Sequence, residues 1–365
     1  MRLILSLLTF VAASAIYAAV EQTDVFVSGR DGYHTYRIPA IIRAQDGTLL
    51  AFAEGRKSGG GDAGDIDLLL KRSRDGGKTW DAQQVIWDDA ANTCGNPCPV
   101  VDAKTGLISL LLTQNPGTAR ERDIDAGKSA AGTRTVWLAH SADHGATWTK
   151  PTEITASTKD PAWRWYATGP GIGIQIKAGP HAGRLVVPCD HSYEHGAATE
   201  RGAHAIYSDD GGRTWKRGEP IRPQMNECQV VELSDDRGTL LMDMRSYRGR
   251  SRRAQSTSTD GGITWTEPKD APALVEPICQ ASIVQWEGAG AAKRGLLLFS
   301  NPADAKTRIN LTVRASEDNA ATWPRALRLH AGPSAYSSLV ALGPNEAGCL
   351  YECGEKRAYE RIVFA

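Results

Sequence analysis

The sequence predicts an all-β protein: a six-bladed β-propeller of four-stranded antiparallel blades. Three observations carry this expectation. One eight-residue pattern, Ser-x-Asp-x-Gly-x-Thr-Trp, recurs five times, the last copy degenerate. The copies are spaced by about the length of one four-stranded unit. The stretches between them are short, apolar or alternating, and bounded by Gly, Asp, Asn or Pro, which are strand signals. No segment shows a long helical period with caps.

The copies run Ser73–Trp80, Ser141–Trp148, Ser208–Trp215, Ser258–Trp265 and Ser316–Trp323. Asp and Ser side chains bond nearby backbone amides, and Gly takes up the left-handed conformation of a tight turn. Thr and Trp then open the return strand, where Trp can pack under the hairpin. Each copy therefore reads as a hairpin clasp, not a catalytic element. The intervals of 68, 67, 50 and 58 residues average near 61. A mature chain of roughly 346 residues then holds about six units. The unit without a box is the last, after Trp323. Expected strands cover 47–53, 66–72, 107–113, 183–188, 239–244, 295–299 and 309–313.

Residues 1–19 read as a signal peptide, with Arg2 followed by an apolar run and small residues at Ala15, Ala18 and Ala19. That run is too short for a spanning helix with normal flanks. Secretion or periplasmic residence follows, with residues 20–365 as one catalytic domain, no membrane span in the mature chain, and a monomer as the expected state. Lys plus Arg and Asp plus Glu each number 42, which argues against a nucleic-acid partner. Seven cysteines is an odd count for an exported chain. Cys94 and Cys98 are close enough to bridge a loop, whereas Cys349 and Cys353 are too far apart if extended. No Cys/His spacing resembles a zinc site.

Several charged residues sit where a plain β-core would not place them. Arg37 precedes an apolar strand, Arg245 follows Leu240–Met244, and Arg308 precedes Ile309–Val313. Glu227 lies in Asn226–Val231, Tyr336 in Ser334–Leu339, and Asp62 in the glycine-rich stretch Gly59–Asp65. In a propeller the inner strands converge on one axial mouth. Three arginines from three blades would make a fixed, always-charged receptor for a carboxylate. Taken singly, each would read as a surface ion pair.

Tyr36-Arg-Ile-Pro39, Phe52-Ala-Glu-Gly-Arg56, Asn226-Glu-Cys-Gln229, Ala335-Tyr-Ser-Ser338 and Leu350-Tyr-Glu352, together with the boxes, resemble the exo-α-sialidase (neuraminidase) family. The resemblance covers nearly the whole mature chain. It implies a six-bladed propeller that cleaves terminal sialic acid with retention and needs no cofactor or metal. By this resemblance Arg37, Arg245 and Arg308 clamp the sugar carboxylate. Asp62, six residues after Arg56, is the acid/base. Tyr336 is the nucleophile, Glu227 the base that activates it, and Glu352 the acid that holds Arg37. Arg56 falls near the 4-hydroxyl pocket. Asn96, Asp190 and Tyr166 are further substrate-binding candidates in segments that resemble the N-acetyl and glycerol pockets.

The chemistry suits these residue types. Sialic acid carries a carboxylate on its anomeric carbon, which repels an anionic nucleophile. A neutral tyrosine avoids that repulsion, and sialidases are the tyrosine exception among glycosidases. A free phenol has a pKa near 10, so it needs a neighbouring base. The expected partners are sialylated glycoproteins, glycolipids or oligosaccharides. Alternatives are a trans-sialidase, or a catalytically silent sialic-acid-binding propeller that would lack Tyr336, Glu227 or Asp62. Asp65 and Asp67 compete with Asp62, and the run into Leu68–Leu70 argues against a calcium loop there. Trp163 and Trp165 read equally as pocket wall or packing. His191 and His195 read better as surface or hydrogen-bonded residues than as metal ligands.

Overall fold

The box residues bond to one another in the way their chemistry dictates. The structure is a computed structural model and describes residues 20–129, 132–286, 296–344 and 346–365. The expected leader, residues 1–19, lies outside the described residues. In the first box Ser73 Oγ donates to Asp75 Oδ1 at 2.8 Å and accepts from the Gly77 amide at 2.9 Å. Asp75 accepts from the Thr79 amide at 2.9 Å and from its hydroxyl at 2.6 Å. The Asp143, Asp210, Asp260 and Asp318 boxes repeat the hydroxyl bond at 2.6, 2.6, 2.5 and 2.5 Å. These bonds favour the carboxylate and hold Asp75, Asp143 and Asp210 down to about 2.

Each box joins the third strand of a group to its outermost strand. The first group is Thr35–Arg43, Leu49–Arg56, Ile66–Ser73 and Gln84–Trp87, paired antiparallel in that order. The second is Thr93–Val101, Ile108–Asn115, Thr135–Ser141 and Thr152–Glu153. Trp163–Thr168, Leu185–His195, Ala198–Ser208 and Lys216–Arg217 form the third. Met225–Glu232, Leu240–Ser246, Arg252–Ser258 and Lys269–Val275 form the fourth. The fifth pairs Ser282–Trp286, Leu296–Pro302 and Ile309–Ser316 with the start of the long strand Arg325–Gly343. The end of that strand pairs with Glu346–Cys353, then Arg361–Phe364, then Thr23–Val27. The last group thus takes one strand from the start of the described chain, and it carries no box, as expected.

The observed strands outrun the expected ones at their polar ends. The run 47–53 becomes Leu49–Arg56, and 183–188 becomes Leu185–His195. Residues such as Glu54, Arg56 and Asp190 keep pairing because they are buried and partnered, which hydropathy alone does not reveal. Among the described residues two short helices, Glu121–Asp125 and Thr155–Thr158, lie in connections. All seven cysteines are free and buried, so Cys94 and Cys98 do not bridge.

The box tryptophans stitch neighbouring groups together. Trp80 meets Phe364 of the last group edge-on at 5.6 Å, and Trp148 meets Phe52 of the first at 5.8 Å. Trp215 lies in a cluster with Leu111 and Val136, and Trp265 packs on Val186 and Ala205. Trp323 shares a cluster with Val231 and Leu241. Each ring therefore packs against the preceding group. The turn glycine beneath is equally constrained. Gly77 has φ +92, and a Cβ there would lie 2.1 Å from Phe364 Cε1. Gly77→Ala is expected to cost about 2–3 kcal/mol in urea unfolding, from left-handed strain plus overpacking. An unchanged midpoint would contradict this account of the seam.

Candidate active site

The first strand of every group but the fifth is irregular near its start. Ladder register shifts between Arg37 and Ala40, Gly95 and Cys98, Met225 and Cys228, and Ser334 and Ser337. Such an extra residue bends a strand and re-aims its side chains. Ile38 (φ 60) and Asn96 (φ 53) sit within these shifts in the left-handed region. For a β-branched residue such as Ile38 that conformation is strained, and such strain gathers at functional sites. The same irregularities hold Arg37, Asn96, Glu227 and Tyr336, all of which line one cavity of about 290 Å3. Arg56, Asp62, Asp190, Arg245 and Arg308 line it as well.

A buried carboxylate organises one wall. Glu352, fully buried, accepts from Arg37 Nε and the Ile38 amide at 2.8 Å each, and from the Tyr336 amide at 3.0 Å. It thereby ties the two strands bearing Arg37 and Tyr336 into one unit. Tyr336 Oη donates to Glu227 Oε1 at 2.5 Å, and Arg245 Nη1 donates to Glu227 Oε2 at 2.6 Å. Arg245 Nη1 also lies 3.2 Å from Tyr336 Oη. Burial, reinforced by Glu227, pushes the phenol well above its ordinary value, against the pull of Arg245, Arg308 and Arg37. The resting group is therefore the neutral phenol.

The three arginines converge on that ring. The Arg37 and Arg308 guanidinia lie 4.9 and 5.6 Å from its centroid. Tyr359 links them from the far side: its ring lies 4.0 Å from the Arg37 guanidinium, and its hydroxyl accepts from Arg308 Nη1 at 2.9 Å.

Asp62 sits opposite, its side chain 66% exposed at the mouth. Arg56 Nη1 donates to it at 2.7 Å, and Arg37 Nη1 lies 3.6 Å away. Partial desolvation by the surrounding protein raises its pKa, but Arg56 and Arg37 outweigh that and hold Asp62 below the usual carboxylate range. Arg56 is itself oriented by Glu54 at 2.7 Å. The competing aspartates point elsewhere. Asp65 pairs with Lys57 at 2.9 Å, and Asp67 accepts from Tyr33 Oη at 2.5 Å; neither lines the cavity.

The remaining wall is polar and largely buried. Asp190 accepts from Asn226 Nδ2 at 2.8 Å, while its other oxygen has no hydrogen-bond partner among the described residues. Burial, reinforced by Glu227, pushes its carboxyl well above the usual range. Asn96 accepts from Arg134 Nη2. Arg134 also donates to Thr113 at 3.0 Å and Asn115 at 2.5 Å, and its guanidinium stacks 4.2 Å from the Trp165 ring.

One expected site residue is not brought in. Tyr166 is fully buried in a cluster with Trp163 and Tyr193 and does not line the cavity. Side chains alternate along a strand, so Trp165 and Ala167 face the cavity and Tyr166 faces away. The ladder register shifts between Trp163 and Tyr166, and Trp163 stacks on His191 at 3.6 Å, so of the two tryptophans one packs and one lines. His191 is buried beside His204, 3.1 Å between their Nδ1 atoms. Among the described residues no group of His, Cys, Asp and Glu is arranged to hold a metal ion.

Sequence reasoning missed Arg134, Tyr359, Glu54 and Tyr247, which also line the cavity. Arg134 had a usable signal, since it precedes an apolar strand just as Arg308 does. Tyr359 lies in a charged loop and had none.

The cavity thus gathers arginines, a phenol–carboxylate pair and a mouth aspartate, a set able to hold an anion and to move protons. A family described as a BNR repeat-like domain matches residues 47–346. The chain is 38% identical over 360 residues to a sialidase of Micromonospora viridifaciens, covering 94% of this chain and 54% of that one. It is 32% identical over 406 residues to mouse sialidase-3, covering 96% and 93%. A solved Hadza microbial sialidase superposes with TM-score 0.83 at 32% identity, covering 94% of this chain and 67% of that one. The chain therefore belongs to the sialidase family. It spans about half the length of its Micromonospora relative. Among the described residues no helix is long and apolar enough to cross a membrane.

Proposed function

We propose that the chain is an exo-α-sialidase that hydrolyses terminal α-linked sialic acids from glycoproteins, glycolipids or oligosaccharides, with retention, through a covalent intermediate on Tyr336. The observation that carries this reading is the neutral Tyr336 phenol, bonded to Glu227 at 2.5 Å and faced by three arginines. Residues 20–365 act as one catalytic domain, and the strand groups are read as the blades of a closed six-bladed propeller. The pairing of Thr23–Val27 with Arg361–Phe364 supports closure, as does a cavity lined from every group.

In the first step Arg37, Arg245 and Arg308 hold the substrate carboxylate so that C2 faces Tyr336 Oη. The phenolic proton passes to Glu227 as Oη bonds to C2. The C2–O bond to the leaving sugar breaks, and Asp62 supplies the proton to that oxygen. In the second step Asp62 takes a proton from water, the hydroxide bonds to C2, and Tyr336 departs with the proton returned by Glu227. Two inversions leave the anomer retained. Asp62 needs its proton at the outset, yet Arg56 and Arg37 depress its pKa. A bound substrate carboxylate answers this, because it neutralises the cationic field of the clamp and lets the Asp62 pKa rise.

Purified protein is expected to release fluorophore from a 4-methylumbelliferyl α-sialoside and to give the α-anomer first by NMR. A β-anomer as first product would rule out the tyrosyl intermediate, and no release from acid to neutral pH would sink the activity. Added lactose separates hydrolysis from transfer, because a transferase forms sialyllactose. Tyr359→Phe tests the clamp. Losing the 2.9 Å bond to Arg308 should raise KM about three- to tenfold with kcat nearly unchanged, since the carboxylate is held in both ground and transition states. A fall in kcat alone would contradict that role.

A further inference from the structure

The connection between strands Ile108–Asn115 and Thr135–Ser141 is the longest of its kind. The corresponding link in the third group is two residues, between Leu185–His195 and Ala198–Ser208. Long connections in compact domains usually carry function. This one brings Arg120, Glu121, Arg122 and Asp125 to the rim, where they wall a second cavity of about 620 Å3. Asp62, Glu121 and Tyr247 belong to both cavities, so the two are continuous at Asp62.

The charges on the second wall are unequal in their partners. Glu121 and Asp125 are both held by Arg201, at 2.9 Å each, and Ser192 Oγ donates to Asp125 at 2.5 Å. Arg120 and Arg122 also line this cavity and are exposed. Arg122 has only a 3.7 Å contact with its neighbour Asp123. Arg120 has no carboxylate partner among the described residues. Two cations thus face open space beside Asp62, while Glu121 and Asp125 share the single cation Arg201.

The leaving oxygen must touch Asp62, and the first cavity holds the sialic acid. Whatever is attached to that oxygen therefore extends from Asp62 into the second cavity. We infer that this cavity receives the penultimate sugar and favours one with an anionic group of its own, a carboxylate or a sulfate ester, through Arg120 and Arg122. This rests on the sialidase reading and adds a substrate class to it.

The test compares first-cut kcat/KM at low salt on sialyllactose, sialyllactose sulfated on its galactose, and disialyllactose. The charged substrates are expected to lead by about three- to tenfold, the scale of one or two exposed charge contacts. The lead should shrink as salt screens it. A lead for disialyllactose alone assigns the site to carboxylates, and a lead for the sulfated sugar alone to sulfate esters; either sustains the inference. The double variant Arg120→Gln, Arg122→Gln should bring all three to parity, with the 4-methylumbelliferyl rate within about twofold of native, because that leaving group carries no anion. Parity in the native protein, or a lead that survives in the double variant, overturns the inference and leaves the sialidase reading standing. No release of fluorophore by the native protein overturns both.

Discussion

Tyr336→Phe is expected to lower kcat on a fluorogenic sialoside by about a thousandfold or more while the protein stays folded. The change removes one oxygen and nothing else. The ring keeps its place, because Glu352 still binds the residue's amide at 3.0 Å and the ring still packs with Ile38 and Cys279. Glu227 loses its 2.5 Å donor but keeps Arg245 at 2.6 Å, so no buried carboxylate is orphaned. The stability cost should therefore be about 1 kcal/mol, that of one hydrogen bond. Chemistry suffers far more, because among the described residues lining the cavity no other hydroxyl donates to a carboxylate. Glu227, as an anion, would meet the substrate carboxylate. Activity in the Phe variant within about tenfold of native would show that the covalent role is misassigned.

How much of this was readable beforehand depends on whether the bonds are local. The boxes were legible because their hydrogen bonds span only two to four residues, so sequence spacing is geometry. The group without a box was legible by subtraction. The cavity residues were legible through motifs, although their convergence needs partners hundreds of positions apart, as with Arg37 and Glu352, 315 residues apart. Pattern reasoning fails at the register shifts. Nothing in hydropathy places Ile38 at φ 60, and Pro39 beside it, like Pro97 beside Asn96, was the only local sign of a broken ladder. Tyr166 was misplaced for a related reason. Alternation separates it from Trp165, but Trp163–Thr168 carries aromatic residues on both faces, so the inward face cannot be chosen without the neighbouring strands. Tyr359 shows the opposite limit: an isolated loop residue with no pattern, important only because two arginines reach it.

Glu352→Gln should be the most damaging conservative substitution for stability. Glu352 is fully buried and takes Arg37 and two backbone amides on its two oxygens. A neutral amide has one acceptor oxygen, so at least one of those donors must face an NH2 group. Arg37, 5% exposed, is left with only the mouth residue Asp62 at 3.6 Å as an acid. Removing one partner of a buried pair costs about 3–5 kcal/mol, mostly through the charge left behind. Urea unfolding should show this loss, and kcat/KM should fall with it because Arg37 no longer holds its angle. The decisive comparison is the cycle with Arg37→Met. If the cost lies in the stranded guanidinium, the double variant should recover much of the stability lost in Glu352→Gln, though none of the activity. Additive losses in the cycle would instead locate the cost in the amides of Ile38 and Tyr336. Glu352 would then matter first as the clasp that closes two strands over the mouth, and only second as the anchor of Arg37.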